Sequence, residues 1–282
     1  MAEASLTPDR RIAIASAPQG ARHAFAALLG LDQRLGDIVR AARDPMIGQM
    51  RLTWWHEALG RLDSAPAPAE PLLRDLATHV VAGGIRGAML ADLVEGWEVL
   101  LDEATNQESL GVYARGRGGL LFDLGTRLLR STAEPYVGAA GRAWALADLA
   151  NGSADGRVVE AARGTAAGLS RQAFAHRWPA PIRPLGILAK LAIAGGEPGN
   201  ALAKSMAIAR FRLMGRSRIY VPLLARSVLL PCASPGSRQH VAVFDRRRGD
   251  RGVGWRRHLP ASGACLATAD PFQAAACAGG LC

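Results

Sequence analysis

The chain lacks several residue types over most of its length, and each absence excludes a class of protein. Residues 1–216 contain no cysteine, so they hold no disulfide, no cysteine nucleophile and no thiolate metal site. No run of about 18 apolar residues occurs, and no segment is therefore predicted to span a membrane. No C-x-x-C pair occurs, which makes a zinc site unexpected. The four cysteines are Cys232, Cys265, Cys277 and Cys282.

Lysine is nearly absent as well. Lys190 and Lys204 are the only lysines, so 32 of the 34 basic residues are arginine. The 282-residue chain has a formal net charge of +10, of which nine arginines and three aspartates place +6 in residues 217–282. The remaining +4 lies in residues 1–216. A basic balance suits nucleic acid, anionic lipid or phosphate-bearing substrates, but an Ala-, Gly- and Arg-rich composition also follows from GC-rich coding.

Apolar residues recur at helical spacing in residues 1–216, without an alternating strand pattern of useful length. Asp44 followed by Pro45 is typical of an N-cap and the first position of a helix. In that helix Met50, Trp54 and Ala58 are spaced four residues apart and are predicted to share one apolar face. The pattern predicts a single all-α helical domain over residues 1–216. The predicted helices cover residues 23–43, 45–62, 72–82, 85–103, 110–129, 137–150, 158–177, 185–194 and 201–214.

Residues 217–282 differ in composition from the rest of the chain. Proline and glycine interrupt every candidate element, and only residues 240–244 are compatible with a short strand. We expect an irregular, disordered tail, although an Arg-rich, Cys-bearing and patternless segment is also typical of a frame-shifted 3′ end. The basic stretch at residues 245–257, with Trp255, is an alternative binding site for nucleic acid or an anionic membrane.

Several short motifs follow one another in an order that belongs to one enzyme family. Residues 44–59 are similar to the pattern EPxxGxxRLxWWxxAL. The other matching pieces are Asp9 and Arg10, Ala17 and Pro18 with Arg22, Tyr113 and Ala114, residues 118–121 and residues 141–146. By these motifs residues 9–216 resemble the squalene/phytoene synthase family of prenyl transferases. The resemblance implies a helical bundle of the isoprenoid synthase type, and it is strongest to a bacterial branch similar to a mitochondrial complex I assembly factor.

Active members of this family condense two isoprenoid diphosphates, and two Asp clusters facing each other across a helical cavity hold the Mg²⁺ ions. The first D-D-x-x-D window falls on residues 36–40 of this chain, where Asp37 is the only acid and Arg40 takes the last position. An arginine there repels a metal ion. Asp32 and Asp44 are five and seven residues from Asp37, and neither spacing stacks with it.

The second Asp cluster is reduced in the same way. The region predicted for it contains Asp148 and Asp155, which are seven residues apart. This region lacks the Gln and Asn that precede the motif in the enzymes. We therefore expect that both Mg²⁺–diphosphate motifs are lost and that no cofactor is bound, with Mg²⁺ needed only if the protein is active.

The resemblance still implies a set of site positions, although it assigns no catalytic residue. Asp37 and Asp155 are the candidate metal ligands. Three of the positions have a structural alternative: core packing for Trp54, a solvated helix acid for Asp37, and close helix packing for Tyr113. The candidate substrate-binding residues are Arg22, Asp37, Trp54, Tyr113, Gly119 and Asp148.

Three functions are open on the sequence. The resemblance implies a catalytically degenerate protein that acts by binding, as a respiratory complex I assembly-type factor with a respiratory-complex subunit as its partner. The second is an active head-to-head prenyl transferase acting on isoprenoid diphosphates. The third is a protein whose basic tail binds an anionic membrane or nucleic acid, of which nucleic acid is the less expected. The first eleven residues lack the apolar core of a secretory signal, which predicts a cytoplasmic protein, peripheral to the inner membrane in the assembly-type case.

Overall fold

The computed structural model describes residues 6–101, 105–195 and 201–216, the last range with side chains from residue 205 onward. These ranges are helical over most of their length and contain no β-strand, which confirms the predicted all-α class. They lie within one compact unit, Met1–Ala225. The predicted tail, with the candidate strand at residues 240–244, lies outside the described residues.

Eleven α-helices account for most of the described ranges. They are α1 (Pro8–Ser16), α2 (Arg22–Ala41), α3 (Pro45–Arg61), α4 (Pro71–Leu76), α5 (Gly87–Glu98), α6 (Gln107–Tyr113), α7 (Leu120–Leu128), α8 (Pro135–Gly152), α9 (Gly156–Phe174), α10 (Arg183–Gly195) and α11 (Ala201–Met214). A π-helical segment, Ala77–Val81, continues α4, and a second, Ala114–Gly119, joins α6 to α7. Short 3₁₀ turns cover Gln19–Ala21, Val99–Leu101 and Ala180–Ile182.

The sequence did not predict α1. This helix has nine residues and buries only Arg10, Ala13 and Ile14, so its apolar period is too short to stand out. It packs against α2 and α10. The helix therefore brings a charged residue into the interior together with Ala13 and Ile14.

The N-terminus of α3 is formed as predicted. Asp44 Oδ1 accepts a hydrogen bond from the backbone N–H of Met46 at 2.9 Å, and Pro45 occupies the first turn. This cap satisfies one of the backbone donors that a helix start leaves unpaired.

The predicted face of α3 is apolar but points mostly outward. Met50 and Trp54 are 68% and 45% exposed and Ala58 is buried, whereas the opposite side buries Leu52, Trp55 and Leu59. The buried side of α3 packs mainly against α5. Because α3 is apolar around most of its circumference, spacing alone did not distinguish its inward side from its outward side.

Helix α8 is central to the packing of the unit. It packs against α7, α9, α10 and the π-helical segment Ala114–Gly119. Where it meets that segment, a Cβ on Gly118 would overlap the backbone carbonyl of Gly141, and one on Gly141 would overlap that of Gly118. Glycine at both positions therefore lets the two backbones come close, which fixes the position of the residue next to Gly118, Arg117. No helix in the described ranges is long and apolar enough to cross the membrane.

Candidate functional site

A buried network of charged groups lies among α1, α2, the π-helical segment and α8. We call it the Arg117 cluster, and its members are Arg10, Asp32, Tyr113, Arg117 and Asp148. The side chain of Arg117 has no exposed surface and that of Asp32 is 1% exposed. Charged groups are almost never buried to this degree unless they are paired.

The guanidinium of Arg117 bridges the two aspartates. Its Nε donates to Asp32 Oδ1 at 2.7 Å and its Nη2 donates to Asp32 Oδ2 at 2.9 Å, which is a bidentate pair. Nη2 also donates to Asp148 Oδ2 at 2.6 Å, and Nη1 donates to the hydroxyl of Tyr113. Arg10 Nη2 donates to Asp32 Oδ2 at 2.5 Å. Asp32 is thus shared by two guanidinium groups in charge-assisted hydrogen bonds.

Aromatic rings enclose the same guanidinium. Arg117 Cζ lies 4.1 Å from the ring centroid of Trp97 and 4.3 Å from that of Trp144. Both distances are within the range of a cation–π interaction, which is stronger where water is excluded. Gly36 on α2 leaves space for this arrangement, since a Cβ there would lie 2.7 Å from the Trp97 ring. The first position of the predicted Asp window therefore has a packing role.

The charges in the cluster stabilise one another. Burial alone would raise the pKa of Asp32, but Arg117 and Arg10 outweigh it and lower that pKa to about 2. Burial also disfavours the charged form of Arg117, yet Asp32, Tyr113 and Asp148 raise its pKa well above the ordinary value. Burial is the largest cause of the raised pKa of the Tyr113 hydroxyl. The aspartate and arginine are therefore ionised together, and the tyrosine is neutral.

The cluster has an outer edge at Asp148, whose side chain is 31% exposed. Asp9 is half-buried nearby. Its burial raises its pKa, and the charge of Asp148 raises that pKa further. The edge thus carries more negative charge than the centre.

The structure brings together two of the six predicted substrate-binding residues. Tyr113 and Asp148 both contact Arg117. Asp37 lies on the outer side of α2, 57% exposed, and accepts from Arg40 at 2.7 Å. Trp54 is exposed on α3.

The other predicted residues have local structural contacts. Arg22 donates from Nε to the carbonyl of Ala17 at 3.0 Å and so secures the connection into α2. Gly119 ends the π-helical segment and is partly buried. Asp155 caps α9, where Oδ1 accepts from the backbone N–H of Arg157 at 2.8 Å. None of these side-chain or capping contacts joins the Arg117 cluster.

Sequence reasoning missed the centre of the site. The spacing of Asp32 from Asp37 does not fit an Asp window, so the motif does not predict a site role for Asp32. For Arg117 the sequence predicts a helix and no site role. A signal for Arg117 was present, because it lies at helical spacing with Tyr113 and Leu121 on one apolar face. A charge in such a position requires an opposite charge nearby.

The family comparison covers the part of the chain that forms the Arg117 cluster. The family model for squalene/phytoene synthase matches residues 7–154. The chain belongs to the squalene/phytoene synthase family. The matched residues include every member of the Arg117 cluster, and the all-α architecture agrees with the isoprenoid synthase fold of this family. No match was found among curated proteins or among solved structures.

Family membership gives the two buried-cluster aspartates a context. Asp32 lies on α2, the helix that carries the first Asp window, and Asp148 lies on α8, in the predicted second region. The motif resemblance places the opposing carboxylates of family members on these two helices. In this chain the two carboxylates do face a common point, and the guanidinium of Arg117 occupies it.

Proposed function

We propose that this member of the squalene/phytoene synthase family is not a prenyl transferase and acts by binding, as a respiratory complex I assembly-type factor. One observation carries the proposal: Arg117 fills the position between Asp32 and Asp148, the aspartates on the two helices that would have to hold metal ions. A guanidinium that is fully buried and bound on three sides is a permanent structural cation.

The donor set in the described residues does not fit Mg²⁺. This ion requires near-octahedral coordination by oxygen and is usually held by carboxylates, water and substrate phosphates. Both oxygens of Asp32 are already bound by guanidinium groups. The described ranges contain no group of three or more His, Cys, Asp or Glu side chains able to hold a metal. The expected ligands Asp37 and Asp155 are an outer-face acid and a helix cap.

The same network gives a binding protein a rigid interior. It joins α1, α2, the π-helical segment and α8 through hydrogen bonds to a single carboxylate and a single guanidinium. The assembly-type role rests on the likeness of residues 44–59 to that branch of the family. A respiratory-complex subunit at the inner membrane is the partner that this likeness implies.

Two measurements test the proposal. Purified full-length protein, given farnesyl or geranylgeranyl diphosphate and Mg²⁺, should release no diphosphate above the buffer background, while an active family member assayed in parallel does. Deletion of the gene should lower complex I activity in the membranes, and the wild-type gene and Asp37→Asn should both restore it. Mg²⁺-dependent release that Asp37→Ala abolishes would instead establish the prenyl transferase, and unchanged complex I would refute the assembly role.

A further inference from the structure

The outward side of α3 carries a contiguous apolar surface that the Arg117 cluster does not explain. Met46, Ile47, Met50 and Trp54 are 72%, 48%, 68% and 45% exposed. Their spacing places them along one side of the helix, opposite the side that packs on α5. We call these four residues the α3 stripe.

Together these side chains expose on the order of 500 Å² of mainly apolar area, and patches of about 300–600 Å² are often functional. Leaving that area in water is unfavourable by roughly 25 cal/mol per Å². The exposure of the α3 stripe therefore points to a surface that covers it.

Charged residues of both signs border the stripe: Asp44 caps α3 at one end, and Glu57, paired with Arg61, lies at the other. Arg43, just before α3, and Arg51, within it, are exposed and form no ion pair with any residue that the structure describes. By contrast Arg40 is paired with Asp37, and Arg61 is paired with Glu57. The two arginines next to the stripe are thus available to a negatively charged partner.

The extent of the stripe argues against a second copy of the chain as that partner. Two copies meeting over it would bury about 1,000 Å² in total, below the roughly 1,200–2,000 Å² of stable interfaces. A lipid bilayer needs no matching surface, and it accepts a single helix side with apolar residues flanked by arginine. Tryptophan is moreover enriched at the membrane interface.

We infer that α3 is a docking surface for an anionic membrane, with the stripe inserted below the headgroups and Arg43 and Arg51 at the level of the phosphates. Attachment is peripheral and holds whether or not the protein is an enzyme. It differs from binding by the basic tail, because the determinant lies in residues 43–54.

The test is co-sedimentation of the full-length protein with vesicles of phosphatidylcholine containing about one third phosphatidylglycerol, compared with phosphatidylcholine alone. The wild type should bind the anionic vesicles. Met46→Ser/Met50→Ser should lower the partition coefficient at least about tenfold, since two apolar side chains are lost. Met46→Leu/Met50→Leu should retain binding, because the stripe stays apolar.

A matched control is available on α11, where Met206 and Leu213 are 64% and 75% exposed. Met206→Ser/Leu213→Ser removes two apolar side chains elsewhere and should leave binding unchanged. Arg43→Gln/Arg51→Gln should weaken binding at low salt and flatten its dependence on salt.

Four results would overturn the inference. They are no binding by the wild type, equal binding by the wild type and Met46→Ser/Met50→Ser, and equal losses in the two serine double variants. The fourth is a dimer in sedimentation that Met46→Ser/Met50→Ser converts to a monomer, because a second copy would then cover the stripe.

Discussion

Helix α2 contributes one aspartate to an aspartate–arginine pair on its inner side and another to a pair on its outer side. The two pairs have the same N–O distance but differ in burial. On the inner side Asp32 and Arg117 approach to 2.7 Å with 1% and 0% of their side chains exposed. On the outer side Asp37 and Arg40 approach to 2.7 Å with 57% and 52% exposed. Distance alone therefore does not distinguish them, and burial does.

The difference shows where this chain depends on its charges. The outer pair is solvated and screened, so it contributes little to stability. The inner pair need not stabilise the fold relative to apolar residues, but removing one partner leaves a buried charge without compensation. The inner side of α2 should therefore respond strongly to substitution, and the outer side weakly.

The largest expected effect follows removal of the inner cation. Arg117→Met keeps much of the side-chain volume but leaves Asp32 with Arg10 alone and Asp148 without its partner. We expect the free energy of unfolding to fall by about 3–5 kcal/mol, measured by urea denaturation.

The outer pair supplies the control for that measurement. Arg40→Met removes the partner of Asp37 by the same chemical change at an exposed position, and it should cost less than about 1 kcal/mol. Equal losses in the two variants would contradict the distinction between the two sides of α2.

Lowering the pH should show the contribution of Asp32 to stability without any substitution. The folded-state pKa of Asp32 is about 2, below the ordinary value near 3.9 that applies to the unfolded chain. Its stabilising contribution is therefore present above about pH 4 and is lost as the pH falls towards 2. This contribution should amount to about 2–3 kcal/mol of unfolding free energy.

The measurement is denaturation between about pH 5 and pH 2 in the wild type and in Asp32→Asn. The asparagine variant leaves Arg117 and Arg10 without the charge of residue 32 at every pH. Protonation of Asp32 does the same to the wild type in acid, so the two curves should converge as the pH falls. Asp9 has a raised pKa and acts in the opposite sense, because its contribution is lost as the pH rises. Both proteins contain Asp9, so its contribution is common to the two curves. Parallel curves of unfolding free energy against pH would exclude the role of Asp32.

The sequence was sufficient for the all-α fold class because helical periodicity is a local property. The range predicted for α11 coincides with the observed helix, and the cap at Asp44 is present. The division of residues 110–129 at a π-helical segment was not predicted, and the contact of this segment with α8 at Gly118 and Gly141 joins residues distant in the chain. Contacts between distant residues leave no such periodic signal.

The candidate site was less accessible to sequence reasoning for the same reason. Tyr113 and Asp148 were identified through family resemblance, but their common partner Arg117 was not. The contact between Arg117 and Asp32 spans 85 positions along the chain. Spacing also did not show which side of α3 faces inward, because several sides of that helix are apolar.

A smaller effect should follow from adding a Cβ where two backbones come close next to Arg117. Gly118→Ala would put a Cβ against the carbonyl of Gly141, and we expect a loss of about 1–3 kcal/mol in thermal or chemical unfolding. Gly138→Ala on α8 is the matched control, since a Cβ there meets nothing within 4 Å. It should stabilise α8 by about 0.5–1 kcal/mol through helix propensity, so opposite signs are expected.

The smallest expected effect concerns Asp37, the acid at which family resemblance places a metal ligand. Asp37→Asn replaces an exposed carboxylate that accepts from Gln33 and Arg40, and the amide oxygen can still accept one of these bonds. We expect a change in unfolding free energy below about 0.5 kcal/mol. Since the outer side of α2 lies away from the Arg117 cluster, the loss of unfolding free energy in acid that is assigned to Asp32 should also be unchanged. A loss approaching that of Arg117→Met would mean that the outer side of α2 is as constrained as the inner one.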